Sequence, residues 1–581
     1  MKVKLINEPI SEQYGINLLK SRGIEDVKRF LNPDMSCLQT WRDLENIDKG
    51  VELIKNLNEN SKVGLIVDAD VDGYTSAAII YQYLHKIYPN INIKYYLHTG
   101  KGHGLEEHWH EIQDEKFDLL IIPDASSNDS VYIDKVGIPT LVIDHHILEN
   151  KEISPLMTLI NNQESPKYKN KNLSGAGMVF QFCRALDEAF NADWAFIYID
   201  LAALGVCADM MSGLEIENQY LWRQGFGYLN NYFFLTLARK QAYSITGSIN
   251  PNDYDLTRAL NPTSVAFYIV PLINAMVRMG TQVEKERMFE AFIDGHKMIP
   301  SGKRGAKGTL EEIAVESARE CTNARTHQNK FLDDITGVLE QKIFKHDLLE
   351  NKILFIRLDE EDFPSELNGL VAMRLSQKYK HPTVVARLGE DGYIKGSIRG
   401  LSNCELTSFK NYLTSTGLCD YVQGHDNAAG ISIPGANLSK LHERANKELA
   451  QFDFDADYYE VNFERQALSK DLSNLILDLD NYNFVWSQQN PQPLIYVKDL
   501  HFTQKDIQVL GKNKDTLKIE KNGVAYMKFF GKEIIEQLKS IGGDVKVEVV
   551  GKPNINEWMG VVTPQIFIEK IEIKLDRLLD F

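Results

Sequence analysis

Cysteine is scarce and scattered in this chain, with six in 581 residues: Cys37, Cys183, Cys207, Cys321, Cys404 and Cys419. None stands at the spacing of a metal-binding or disulfide framework, so a thiolate metal site and a stapled secreted fold are both excluded. Reduced thiols in core or surface positions are expected. No run of about eighteen apolar residues occurs, which argues against a membrane-spanning helix. The opening Met1-Lys2-Val3-Lys4-Leu5-Ile6-Asn7-Glu8 has no apolar signal core, so a cytoplasmic location is expected. Positive charge is also in short supply, 64 Lys and Arg against 81 Asp and Glu, a net −17. That balance excludes a protein that coats nucleic acid over its whole surface, but not an enzyme with a narrow basic channel.

What is present has the apolar and charged content of a globular chain, and its length suggests roughly three or four domains. The chain is organised around Gly64-Leu65-Ile66-Val67-Asp68-Ala69-Asp70-Val71-Asp72-Gly73-Tyr74-Thr75-Ser76. An apolar run ending in alternating acids before a helical pattern predicts a buried strand, a tight turn and a helix. Three aspartates at alternate positions repel one another unless a multivalent cation neutralises them. A solvated Asp-Gly loop is the alternative.

Recurrence favours the metal. Leu119-Leu120-Ile121-Ile122-Pro123-Asp124 is a second apolar run closed by an acid, and Thr140-Leu141-Val142-Ile143-Asp144-His145-His146 a third. Strand ends of one open sheet lie side by side, so these groups should converge, with Asp209 in Leu204-Gly205-Val206-Cys207-Ala208-Asp209 as a further member. Carboxylates with imidazole and no thiolate suit Mn²⁺ or Mg²⁺ better than structural zinc. Asp124, between the other strand ends, is the candidate bridge between two ions, the arrangement that activates water and relieves phosphoryl charge in phosphodiester hydrolysis. His146 is expected to contact phosphate or water, because neighbouring side chains on an extended segment point apart.

These residues, Asp68-x-Asp70-x-Asp72-Gly73, then Asp124, then Asp144-His145-His146, then Ala208-Asp209, resemble the four motifs of the DHH phosphoesterase superfamily. Within it the chain resembles the RecJ family of single-strand-specific 5′→3′ exonucleases over nearly its whole length. The resemblance implies that Asp68 and Asp124 hold one ion and that Asp70, Asp124, His145 and Asp209 hold the other. Asp144 and Asp72 are expected to support them from outside, one orienting the histidine and one closing the turn.

The fold implied is α/β: a DHH parallel-sheet domain and a DHHA1 α/β domain joined by a long helix, with a small C-terminal barrel resembling an oligonucleotide-binding fold. The expected boundaries are a helical arm over 1–57 packed on the catalytic domain, the DHH domain over 58–225, a helical region with the connecting helix over 226–349, the DHHA1 domain over 350–453 and the barrel over 454–581. Alternating apolar and helical segments from Lys62 to Gly213 indicate βαβ units. Leu310 to Lys345 predicts the long helix, just after the basic loop Ser301 to Gly308. Short alternating strands between Leu494 and Ile573 suggest the barrel, whose Tyr526, Phe529, Phe530 and Trp558 are candidates to stack bases.

Candidate strand contacts are spread along the chain. The Gly-rich loop Leu97 to Leu105 contains His98, Lys101 and His103 and has the composition of a phosphate cradle, though also of a flexible turn. By resemblance to the DHHA1 module, Arg374, Ser397, Arg399, Gly424, His425 and Ala428 bind the strand, glycines letting the backbone approach an anion and arginine forks matching phosphate oxygens. Asn274 and Arg278 belong to a further stretch of this kind. The chain departs from the family at Asp124-Ala125-Ser126-Ser127, at His98 where an arginine is usual, at Val270 to Arg278, and at Met373 where a serine is usual. Weaker or apolar groups replace charged or hydroxyl donors there, so hydrolysis is expected to survive while recognition of a 5′-phosphate weakens. A divergent copy carried by a mobile element or virus would fit.

The implied activity is metal-dependent 5′→3′ digestion of single-stranded DNA to 5′-mononucleotides in repair or recombination, with two Mn²⁺ or Mg²⁺ ions. A monomer is expected, with a single-strand-binding protein or helicase as candidate partner and no membrane association. A phosphodiesterase for short oligoribonucleotides or cyclic dinucleotides, and a silent nucleic-acid-binding scaffold, are the competing readings. The extra barrel favours a longer polymer over the first, and the intact ligand set favours catalysis over the second.

Overall fold

The computed structural model describes every residue except 9, 101, 150, 249, 307, 359–363, 542, 559 and 575–581, and all described side chains except that of Trp558. By its contacts the chain divides into two units. One comprises Lys28–Lys330 with Phe484–Asn490, the other Met1–Val27, Phe331–Asn483 and Pro491–Phe581.

The first unit is built on a five-stranded sheet: β1 (Lys62–Val67), β2 (Asn92–Leu97), β3 (Leu119–Pro123), β4 (Thr140–Asp144) and β5 (Met157–Asn161). Its order is β2-β1-β3-β4-β5 and every pairing is parallel. Both β3 and β4 are buried at every residue, as strands covered on both faces must be. Successive side chains go to opposite sides. Leu65, Ile121, Leu141 and Ile143 enter one core with Ile79, Tyr83, Phe180, Phe182 and Leu204, while Ile66, Leu120, Ile122 and Val142 enter another with Leu105, Ile112 and Ile133. The helices of the first core are α1 (Val71–Ile87), α2 (Gly175–Phe190) and α3 (Ile199–Ala208). The strand order reverses between β1 and β3, and at such a switch point the carboxyl ends of parallel strands open into a crevice.

Two features depart from expectation. The stretch Pro262–Met279 is long and apolar enough, by length and composition, to cross a membrane, with mean hydropathy 1.2, and 56% of it is buried within the fold. Thr263, Ser264 and Asn274 interrupt it, so a consecutive count of apolar residues passes it over. It includes α4 (Val270–Met279). The long helix α5 starts at Ile313 and runs to Lys345, because Leu310–Glu312 pairs instead as a strand with Met298–Pro300, making the basic loop a hairpin tip.

In the second unit, β6 (Leu354–Arg357), α6 (Asn368–Tyr379), β7 (Thr383–Leu388), β8 (Tyr393–Arg399), β9 (Tyr421–His425) and β10 (Ala428–Pro434) form an α/β layer with sheet order β9-β10-β8-β7-β6. The C-terminal strands are β11 (Phe463–Gln466), β12 (Ile495–Thr503), β13 (Ile507–Leu510), β14 (Thr516–Lys521), β15 (Val524–Lys528), β16 (Asp544–Trp558) and β17 (Val561–Lys574). They pair in the order β11-β12-β16-β17-β15-β14-β13. Among the described residues the edge strands β11 and β13 do not pair, so the expected OB-like barrel is open at this edge. Its two longest strands run together from Lys546–Lys574 to Trp558–Val561, and a bulge at Val550/Gly551 bends them. Tyr526 is wholly buried and belongs to the core, whereas Phe529 is half-exposed and Phe530 is 89% exposed.

The arm is also reassigned in part. Residues Lys2–Leu5 form a strand paired in parallel with Tyr458–Val461, Tyr14 donates from its hydroxyl to Asp471, and Gly15 N donates to Asp478 Oδ2 at 2.8 Å. These long-range partners, set 450 or so positions away, hold Met1–Val27 in the second unit rather than on the catalytic domain. All six cysteines are free thiols, as expected.

Ile121 sits fully buried at the middle of the first sheet. Ile121→Ala should cost about 2–5 kcal/mol of stability. Urea denaturation should show a lower midpoint at an unchanged slope, and an unmoved midpoint would contradict this packing.

Candidate metal centre

Asp68 follows β1, and Asp70 caps α1, accepting from Gly73 N at 3.0 Å through Oδ1. A cap of this type satisfies one of the orphan amides of the first turn and leaves the other carboxylate oxygen for another partner. Asp124 follows β3 with φ 65, and Ser126 has φ 73, so the chain turns sharply through left-handed conformations as it leaves the strand. Asp tolerates that region better than most residues, and such turns collect at functional sites. Asp209 is the C-cap of α3, the point where that helix runs out beside the strand ends.

The expected ligands come together. Asp68, Asp70 and Asp124 form one group whose donor atoms lie within 4.8 Å of one another, Asp72, His145 and Asp209 a second, and Asp124, Asp144, His145 and His146 a third. Asp124 and His145 are each shared between two groups. His145 Nε2 lies 3.1 Å from Asp124 Oδ1, 3.5 Å from Asp209 Oδ2 and 4.0 Å from Asp72 Oδ2. Asp124 Oδ1 is buried with no hydrogen-bond partner, an orphan that a cation would satisfy. An oxygen-rich donor set with one neutral imidazole fits Mn²⁺ or Mg²⁺.

Electrostatics point the same way. Burial, reinforced by the neighbouring aspartates, pushes the carboxyls of Asp124, Asp209 and Asp70 up, and Asp72 to about 6. Burial and the charge of His146 lower His145 to about 4, leaving its ring neutral and able to ligate. His146 behaves oppositely. Burial alone would lower it, but the hydrogen bond and charge of Asp144, 2.8 Å away, lift it to about 9. Its side chain remains 56% exposed and lines a cavity of about 290 Å³ with His103, Gly104, Asp124, Ser127 and Asp144.

The supporting residues do more than expected. Asp72 was expected to close a turn, yet it accepts from Ser174 Oγ at 2.8 Å, Gly175 N at 2.7 Å and Ala176 N at 3.0 Å, tying the start of α1 to the start of α2. Asp144 accepts from Ser127 N and from the amides of His145 and His146, and the ring it orients is that of His146. Asn161, at the end of β5, donates to Ser127 Oγ at 3.0 Å and to the carbonyl of His146 at 2.8 Å. Sequence reasoning passed over Ser174 and Asn161. Ser174-Gly175-Ala176 has the signature of a helix N-cap, and Asn161 closes a fifth apolar run.

The candidate strand contacts separate. His103 Nδ1 lies 2.7 Å from Asp68 Oδ2, and Gly104 N donates to Asp68 Oδ1 at 3.1 Å. His98 is wholly buried, its Nδ1 2.7 Å from Glu107 Oε2, so it does not present a surface to substrate. Lys101 lies outside the described residues. Asn274 and Arg278 stand one helical turn apart on α4. In the second unit, Arg399 and Ala428 line a cavity of about 380 Å³ with Met373, Lys380, Asn427 and Phe454. Ser397 and Arg399 on β8 face Gly430 and Ala428 on β10, and Gly424 pairs with Ala429. His425, at the end of β9, is exposed, and Arg374 is engaged by Asp333.

A parallel sheet of order 2-1-3-4-5 with interlocked acids at its switch point and a histidine pair after the adjoining β4 is the arrangement of a DHH-type α/β domain. Residues 62–206 match the DHH family N-terminal domain, and residues 473–570 match the RecJ OB domain. The chain is 36% identical over 567 residues to the SPbeta prophage-derived protein YorK of Bacillus subtilis (strain 168), covering 96% of this chain and 95% of that one. The name of that protein gives it, provisionally, as a single-strand DNA-specific exonuclease. It is 23% identical to the single-stranded-DNA-specific exonuclease RecJ of the same organism, over 100% of this chain and 70% of that one. The crystal structure of RecJ in complex with Mn²⁺ from Thermus thermophilus superposes with a TM-score of 0.70 at 19% identity, over 98% of this chain and 79% of that one. The chain belongs to the DHH family, in its RecJ branch.

Raised carboxyls carry a testable consequence. A carboxyl whose pKa is higher folded than the unfolded value of about 3.9 binds more protons in the native state, so the metal-free protein loses stability as pH rises through that interval. A cation replaces the proton as counter-charge, and at a hundredfold excess over Kd it adds about 2.7 kcal/mol. Mn²⁺ should therefore raise the Tm of chelator-treated protein more at about pH 7.5 than at about pH 5. Calorimetry at both values checks this, and equal shifts would refute it.

Proposed function

We propose that this chain is a divalent-metal-dependent exonuclease that degrades single-stranded DNA from the 5′ end to 5′-mononucleotides, acting in repair or recombination in the cytoplasm. The observation that carries the reading is the convergence of Asp68, Asp70, Asp124, His145 and Asp209 into interlocked groups through Asp124 and His145. The names of the relatives support the choice of substrate, and the match to the RecJ OB domain favours a polymer over a dinucleotide.

In this reading Asp68 and Asp124 hold one Mn²⁺ or Mg²⁺, and Asp70, Asp124, His145 and Asp209 the other. Bound there, the ions would supply a water nucleophile at neutral pH and charge relief on the phosphoryl oxygens. His146, held protonated by Asp144 and half-exposed in the cavity, donates to a phosphate oxygen of the strand. Asp72 positions rather than ligates, because its oxygens are taken by the N-terminus of α2. In the second unit Arg399, whose guanidinium donates to the carbonyl of Ile398 at 2.7 Å, and the backbone at Ala428 grip the strand's backbone. The loss of usual donors at His98 and Met373 weakens recognition of a 5′-phosphate.

Time-resolved analysis of 5′- and 3′-labelled single strands, DNA and RNA, with Mn²⁺ or Mg²⁺ tests the proposal. Mononucleotides released from the 5′ end of DNA are expected, and consumption of only the shortest oligonucleotides would overturn it. Asp124→Ala should lower the rate by more than about 100-fold, beyond what losing an outer hydrogen-bonding partner costs, with the circular dichroism spectrum unchanged. Arg399→Ala should weaken binding and lower the salt dependence by about one phosphate contact.

A further inference from the structure

Beside the carboxylate centre lies a second cluster of a different chemistry. His98 follows β2, while Glu107 and His108 directly precede the short helix Trp109–Ile112. The three side chains each offer a donor atom within 4.8 Å of the others. The His98 side chain is wholly buried and that of His108 is 5% exposed. Their rings lie 4.7 Å apart between centroids.

Three of the four imidazole nitrogens there, Nε2 of His98 and both nitrogens of His108, are buried without a hydrogen-bond partner. A buried unsatisfied polar atom costs about 1–3 kcal/mol, and two on one ring are seldom left without a purpose. Tyr96 packs on the His108 ring at 5.6 Å but offers it no acceptor there, since its own hydroxyl is also without a partner. Glu111 Oε1, 3.9 Å from His108 Nδ1, is beyond hydrogen-bond reach. An apolar residue would fill the space of His108 at lower cost, so the lone pairs themselves need an explanation.

We propose that His98, Glu107 and His108 form a metal site separate from the carboxylate centre and selective for Zn²⁺. Two imidazoles and a carboxylate are a zinc donor set, whereas the oxygen-rich centre is not. His98 binds through Nδ1 and Glu107 through Oε2. These atoms now stand 2.7 Å apart in a hydrogen bond, and separate to about 3.3 Å when a tetrahedrally coordinated ion with bonds of about 2.0–2.1 Å replaces the shared proton. The proton moves to His98 Nε2, on the edge of the ring that faces Asp68 Oδ1 at 3.8 Å. The other oxygen of Glu107, Oε1, accepts from Thr99 N at 2.9 Å and from the Thr99 hydroxyl, fixing the ligand's orientation.

The site closes the loop between residues 98 and 108 at both ends. That loop carries His103 and Gly104, which touch Asp68 from outside the carboxylate centre. Lys285 secures the same loop by donating to the carbonyls of His98 and Thr99. The ion is therefore a clamp that sets the position of Asp68, and it takes no part in hydrolysis.

Zn²⁺ content tests this without reference to nuclease activity, so failure of the proposed hydrolysis leaves the result standing. Chelator-treated full-length protein is loaded with equimolar Zn²⁺ in excess Mg²⁺, desalted and assayed by mass spectrometry for metal. Asp124→Ala should keep one equivalent of Zn²⁺, whereas His108→Gln and Glu107→Gln should each lose it. Co²⁺ substitution should give visible ligand-field bands in wild type and Asp124→Ala that vanish in the other two. Equal Zn²⁺ in wild type and both cluster variants, or none in Asp124→Ala, overturns the proposal. Should His108→Gln not fold, Glu107→Gln, at a partly exposed side chain, decides alone.

Discussion

Mutual repulsion among buried carboxylates is the constraint on which the first unit depends. Asp68, Asp72 and Asp124 are each at most 2% exposed, and Asp70 and Asp209 lie beside them. Charges in such a place are costly unless something of opposite sign shares it. The fold keeps them together because each hangs from a different rigid element, and because those elements are locked by their own apolar faces. Leaving the site empty would leave that repulsion standing, so the architecture makes sense as a socket for cations.

Backbone amides do most of the holding. Asp70 takes an amide of α1, Asp72 takes two of α2, and Asp144 takes three from its own and the adjoining turn. Close approach is part of this. A Cβ on Gly175 would lie 2.4 Å from Asp124 Oδ1, and one on Gly205 would lie 2.1 Å from Asp72 Oδ1. Neither position has room for a side chain, because helix backbone is pressed directly against the acids. Amides and helix N-termini aimed at carboxylates partly offset their repulsion, yet both oxygens of Asp72 are consumed in doing so. That is why Asp72, the last acid of the motif, positions its neighbours while Asp70 keeps an oxygen for a cation.

The histidine pair shows how one strand end serves two roles. His145 and His146 are adjacent, but the first turns inward among carboxylates and the second outward to the cavity. Desolvation makes one a neutral donor of a lone pair, and Asp144 makes the other a cation. Opposite protonation states in neighbouring imidazoles therefore follow from burial and one shared carboxylate.

Much of this was legible along the chain. The apolar runs of β1, β3 and β4 stand out because a strand buried on both faces has no polar positions, and the acids that end those runs stand at the carboxyl ends where a parallel sheet opens. The helix over Asn368–Tyr379 and the strand over Ile507–Leu510 were likewise readable from local periodicity. Other features were decided only in three dimensions. Pairing of Lys2–Leu5 with Tyr458–Val461 and the bond from Asp72 to a helix a hundred residues on join distant segments, and the open edge of the C-terminal sheet and the burial of His98 depend on how the elements pack. Local pattern determines which face of an element is apolar and where it must stop, but which distant polar groups meet is set by how those faces pack, and no short window of sequence contains that.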